Sequence, residues 1–161
     1  MLARILPERI DNDYRGHKLA LWFLGLVLLV RIAIALGSIF NGYGAASGPD
    51  GIPLASFPPA ASQTIVSLFA LIGISRLMLA AFAVLALIRY RALVPLMFLL
   101  LLLEQAGRQV ALYYLPVPRV GEPPVSVINI VPLGLMIVGF VLSLMNRAGP
   151  DPLTKASGTP G

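Results

Sequence analysis

Cysteine is absent from all 161 residues, and histidine occurs once, as His17. Without a thiol there is no disulfide, no thiolate metal cluster and no dithiol redox relay. A single imidazole builds neither a bis-histidine haem site nor a histidine-rich metal site, so neither a metal nor a cofactor is expected. Charge is scarce as well. Asp, Glu, Lys and Arg together make up 12% of the chain, where a globular protein carries about 25%. So few charges cannot cover a water-facing surface. That excludes a soluble enzyme, a nucleic-acid-binding module and a disordered polypeptide. The sequence contains no nucleophile–base pair, phosphate loop or cofactor fingerprint, and no internal repeat.

What the sequence has in abundance is apolar surface. Apolar residues account for 58% of it, with a mean hydropathy of +0.87. Four segments approach or exceed the roughly 20 residues that a membrane-spanning helix needs: 19–40, 65–88, 93–114 and 126–144. They are rich in Leu, Ile, Val and Ala without sustained alternation, which favours helices over a β-barrel. Pro58, Pro59 and Pro95 fit the first turns of the second and third helices. Residues 41–58 are rich in Gly, Pro and Ser and read as an irregular loop, 89–92 as a tight turn, and 115–125, with four prolines, as a second loop. The expected fold is an all-α integral membrane protein, an up-and-down bundle of four transmembrane helices over 19–145. A cytoplasmic segment, 1–18, precedes it, either solvated or lying on the membrane. A disordered cytoplasmic tail, 146–161, follows it. The acids in the leader and the apolar sequence continuing past Arg31 argue against a cleaved signal peptide.

Orientation follows from the basic residues, which also explain the sequence pI of about 10.1 without nucleic acid. Four spans put both termini on one side. That side would hold Arg4, Arg9, Arg15, Lys18, Arg89, Arg91, Arg147 and Lys155, and the other only Arg119. The positive-inside rule then makes the termini and the 89–92 turn cytoplasmic, in a cell inner (cytoplasmic) membrane. Tyr14, Trp22, Tyr43 and Tyr90 fall near the expected interfaces, as aromatic belts do.

Four charges fall inside the spans: Arg31, Arg76, Glu104 and Arg108. Each costs roughly 2.5 to 3.5 kcal/mol at mid-span on insertion scales. Counted from the cytoplasmic ends at 1.5 Å per residue, they lie about 17 to 22 Å deep, in one layer. Helical spacing places Arg31 on a stripe with Ala35, Ser38 and Gly42, Arg76 with Gly73, Ala80 and Ala83, and Glu104 and Arg108 with Gly107 and Ala111. Faces of small residues are where membrane helices approach one another, so the charges are expected to point into the bundle. Ala33 and Gly37 fit a further close helix contact. Gln105 and Gln109 broaden the polar face of the third span. Asn129 lies at a similar depth on the fourth, followed by Pro132, which frees a carbonyl and kinks the helix. The candidate site is Arg31, Arg76, Glu104, Gln105, Arg108 and Asn129, in a polar pocket opening away from the cytoplasm beneath 41–58.

Two readings of this cluster stand open. In one, Glu104 pairs with Arg108 at i,i+4 and bridges to Arg31 or Arg76, fixing helix register and binding nothing. In the other, three cations against one anion leave two positive charges, which a bound lipid phosphate or carboxylate would neutralise. Asp50 and Glu122, in the outer loops, have no partner cluster. Tyr113 and Tyr114 fit interfacial belt positions. The functional expectation is a non-enzymatic membrane bundle, either an accessory subunit or a binder of an anionic amphiphile. The alternative is a small membrane enzyme or transporter acting on a lipid- or quinone-like substrate, with Glu104 and the arginines as electrostatic groups. Its partners would be membrane lipid and, in the subunit case, another membrane protein or a second copy. On hydropathy and on the Arg31…Gly37 spacing alone, the plan resembles the DoxX-like small bacterial membrane proteins. The resemblance carries no function across.

Overall fold

A computed structural model describes residues 5, 12, 14, 16–117 and 125–145, with the side chains of 125–130 left out. The expectations for the leader, for the tail after 145, for Arg119 and Glu122, and for the side chain of Asn129 lie outside these described residues. The described residues form helices and no strand: α1 (Lys18–Phe40), α2 (Gly42–Ser47), a 3₁₀ turn (Leu54–Ser56), α3 (Pro59–Arg89), a 3₁₀ turn (Arg91–Leu93), α4 (Val94–Tyr114) and α5 (Val125–Leu144). Three helices are long and apolar enough to cross a membrane: Lys18–Phe40, Pro59–Arg89, and Arg91–Tyr114 counted with its 3₁₀ turn. In α5 the stretch with described side chains, Val131–Leu144, is apolar but shorter than a span.

Local chemistry explains the boundaries. His17 caps α1, its Nδ1 accepting from the Leu19 N–H at 3.3 Å. Pro59 sits in the first turn of α3, where a missing N–H costs nothing. This extends the helix to six residues before the expected span. Pro95 plays the same part in α4. The 41–58 stretch is not the irregular loop expected. The Asn41 side chain accepts from the Gly44 N–H at 3.1 Å and starts α2, a capping signal that the Gly-rich composition conceals. The chain then turns at Gly51, whose φ of 67° is the one positive value among the described residues and suits glycine.

Packing is strongest between α1 and α3, with α5 lying against α1 and α4. The main core joins Leu24, Val27 and Leu28 of α1, Ala80, Ala83 and Ala86 of α3, Phe98 and Leu101 of α4, and Met136 of α5. The two ends of the bundle meet where the His17 N–H donates to the Leu142 carbonyl at 3.2 Å. The start of α1 and the end of α5 are thus on one side. Tyr14, expected at the interface, is half-buried there and donates to the His17 carbonyl at 3.2 Å. Burial pushes its phenol up to about 12. Outward-facing positions are apolar, with Trp22 78% and Phe82 63% exposed. In water, such an apolar surface would have to be covered; in lipid it is already solvated.

The small-residue faces of α1 and α3 behave as expected, since Ala35, Ser38, Gly73, Ala80 and Ala83 are buried; Gly42, expected on the α1 stripe, is buried too but belongs to α2. A Cβ on Gly73 would stand 2.9 Å from the Ala35 carbonyl oxygen, which is backbone and cannot step aside. Gly73→Ala should therefore lower the unfolding midpoint in detergent by an overpacking penalty of about 1–3 kcal/mol. Gly107→Ala, with open space around the glycine, should be neutral or slightly stabilising, since alanine is the better helix former. Two expectations fail here. Gly107 and Ala111 are exposed rather than packed, and so are Ala33 and Gly37. A small residue permits close packing but does not supply a partner; on this face of α4 it is the long side chains of Glu104 and Arg108 that reach other elements.

Candidate functional site

The charged layer forms, though not as the spacing alone implied. Glu104 lies at the centre of α4, ten residues from Val94 and ten from Tyr114. One carboxylate oxygen takes the Arg31 guanidinium from α1, and the other faces the Nε of Arg76 from α3 at 3.5 Å. A single acid thus joins three helices. Arg31 is the most enclosed of the group, its side chain only 13% exposed. Its second terminal nitrogen, Nη2, donates to the Leu101 carbonyl and to Gln105 Oε1, each at 3.4 Å, and lies 3.6 Å from the sulfur of Met136 on α5. Gln105 is buried because it serves this guanidinium, whereas Gln109 points outward.

Arg108 corrects the sequence expectation. It does not pair with Glu104 at i,i+4. Its Nη2 donates to Asp50 Oδ1 at 3.3 Å, across 58 residues of sequence. Asp50, expected to lack a partner cluster, is held in place by a small second core. Ala46, Ile52 and Leu54 bury against Phe57, Ile65, Val66 and Phe69. The Ile52 N–H donates to the Ala46 carbonyl at 2.9 Å, folding the segment back over α2. Residues 42–57 therefore form a packed flap on α3 that carries a carboxylate down to α4. The excess is correspondingly smaller than expected: three arginines face two acids, leaving one positive charge.

Arg76 is the member with capacity to spare. Among the described residues its one ion pair is the 3.5 Å approach of Nε to Glu104, and it has no hydrogen bond. It borders a cavity of about 530 Å³ between α3 and α4. Arg76, Glu104, Arg108 and Asp50 form the polar part of its wall, with Ser38 of α1, while Phe69, Ile72 and Leu112 are among the apolar part. Ile52 of the flap and Val117, beyond α4, line the end away from the start of α1 and the end of α5. Behind the charges, a space of about 30 Å³ touches Arg31, Arg76, Glu104, Gln105, Arg108 and Pro132, enough for about one water. Ser38 and Ser75 donate to carbonyls of their own helices, Ile34 and Leu71, so their hydroxyls offer acceptor oxygens to the cavity.

The structure thus brings five of the six expected site residues together. Of these, Arg31 and Gln105 sit on the structural side of the network, and Arg76, Arg108 and Glu104 on the cavity side. Asp50 was missed. The signal that could have found it was the charge count itself: three arginines against one acid call for a second anion, and the outer loops hold only Asp50 and Glu122. Among the described residues no group of three or more His, Asp or Glu is placed to hold a metal ion. Comparison with protein-family models, with curated proteins and with solved structures finds no match to this chain.

Proposed function

We propose that the chain is a four-span, up-and-down membrane bundle whose cavity between α3 and α4 binds the anionic head of an amphiphile. The observation that carries the reading is Arg76: a guanidinium that cannot shed its charge, with unused donors, on the wall of a largely apolar cavity in a layer that is one positive charge in excess. A lone buried cation is costly, and a guanidinium fork matches a carboxylate or phosphate in two-point geometry. Polar groups converging in an otherwise apolar cavity of this volume are the ordinary form of a small-ligand site. The 20 residues of α5, antiparallel to α1 and joined to it at His17, supply the fourth crossing. The test is lipid extraction and mass spectrometry of protein purified in a mild neutral detergent. Retention of about one anionic amphiphile per chain supports the reading. Its absence, with a co-purifying membrane protein in its place, favours an accessory subunit.

The proposed membrane is a bacterial cytoplasmic one with both termini inside, on the strength of eight basic residues against one. Because the chain has no cysteine, single introduced thiols report cleanly. An impermeant maleimide should label Ser47→Cys on intact cells and leave Arg89→Cys unlabelled until the cells are opened. The reverse pattern would invert the bundle and the direction in which the cavity faces.

A further inference from the structure

We infer that the bound amphiphile carries one negative charge and one chain, and that the chain runs down the α3–α4 seam past Leu79 toward Tyr90. This rests on the anion-binding reading and adds the shape of the ligand. The charge follows from the count: one positive charge in excess is neutralised by a monoanion, whereas a dianion would leave the layer negative in a low-dielectric setting. Arg76 offers two-point geometry, which a carboxylate meets with its two oxygens.

The chain follows from the seam. α3 packs chiefly on α1 and α4 chiefly on α5, so the contact between α3 and α4 is sparse. Beyond the charged cavity lies a second one, about 180 Å³, walled by Phe82, Ala86, Tyr90, Met97 and Leu100. Leu79 borders both cavities. The first is the size of a site for one small ligand; the second is smaller and almost wholly apolar, with the Leu79 side chain standing between them. The head would lie in the half of the bundle nearer the flap and the chain in the half nearer the 91–93 turn. That is the sense of a lipid in the leaflet on the flap side, with its head drawn inward.

The test uses the full chain in neutral detergent, reading the unfolding midpoint against added amphiphile. Oleate should raise the midpoint saturably, oleyl alcohol should not, and dioleoyl phosphatidylglycerol, a monoanion with two chains, should be much weaker than oleate. Leu79→Trp blocks the junction, so it should weaken oleate by at least about tenfold, several methylenes being displaced. Leu100→Trp, from the opposite wall, serves if Leu79→Trp does not fold, and Gln109→Ala is the neutral control. Phosphatidylglycerol equal to oleate, or oleate indifferent to both tryptophans, overturns the single-chain track and leaves anion binding standing. If neither anion shifts the midpoint and Arg76→Gln changes nothing, the anion-binding reading itself falls.

Discussion

Glu104→Gln is expected to be the most damaging near-isosteric change in the bundle. The substitution keeps shape and hydrogen-bonding capacity but removes the charge that holds Arg31 of α1 and Arg76 of α3 against α4. The layer goes from one excess positive charge to two, and Arg31, only 13% exposed, loses its counter-ion. Breaking a buried pair costs about 3–5 kcal/mol in soluble interiors. Hydrogen bonds within membranes measure lower, because the unfolded reference finds partners too. A loss of about 2 kcal/mol or more, read by denaturant unfolding in mixed micelles, is the expected result, with Gln109→Ala near zero. A double-mutant cycle should give a larger coupling for Glu104 with Arg31 than with Arg76. Additive losses in both cycles would mean that the three side chains do not act together.

The second large effect separates the arginines. Arg31→Gln should be strongly destabilising, because its guanidinium ties α1 to Glu104, to the Leu101 carbonyl and Gln105 of α4, and to Met136 of α5. A shorter, neutral side chain abandons those partners and leaves Glu104 with only the 3.5 Å approach of Arg76. Arg76→Gln should cost under about 1 kcal/mol, the usual scale for a pair that is not tightly engaged, and should remove the excess charge altogether. The two variants look alike in sequence, each an arginine to glutamine at mid-helix. Equal losses of stability would contradict the division between a structural arginine and a ligand-facing one.

That division marks where reading the sequence ends. Helix positions were legible because lipid as solvent forces long apolar runs and because Pro59 and Pro95 mark first turns. The buried faces of α1 and α3 were legible because Ala35 and Ser38 on one, and Gly73, Ala80 and Ala83 on the other, recur at helical spacing. That Arg31 and Arg76 could reach Glu104 followed from counting residues along helices of known rise. Which arginine meets which acid was not. The pairing of Arg108 with Asp50 depends on a flap whose position is set by Ile52 and Leu54 burying against α3, a contact that no local pattern encodes. Periodicity also failed at Gly107 and at Ala33 and Gly37, since it reports a face but not what stands opposite it. The cavity is a consequence of α3 packing chiefly on α1 and α4 chiefly on α5, and is invisible until those contacts are known.

The measurement closest to the central claim is retention of an anionic amphiphile by three proteins purified identically in neutral detergent: the wild type, Arg76→Gln and Asp50→Asn. If the cavity holds an anion through the uncompensated positive charge, Arg76→Gln loses it. Asp50→Asn, by releasing Arg108 and raising the excess from one charge to two, retains it more firmly, by about tenfold where a charged hydrogen bond is gained. A purely structural network predicts no such opposition, because each substitution only removes an ion-pair partner. Retention that falls in Arg76→Gln and rises in Asp50→Asn is the predicted result; retention absent in all three, or unchanged across them, would contradict it.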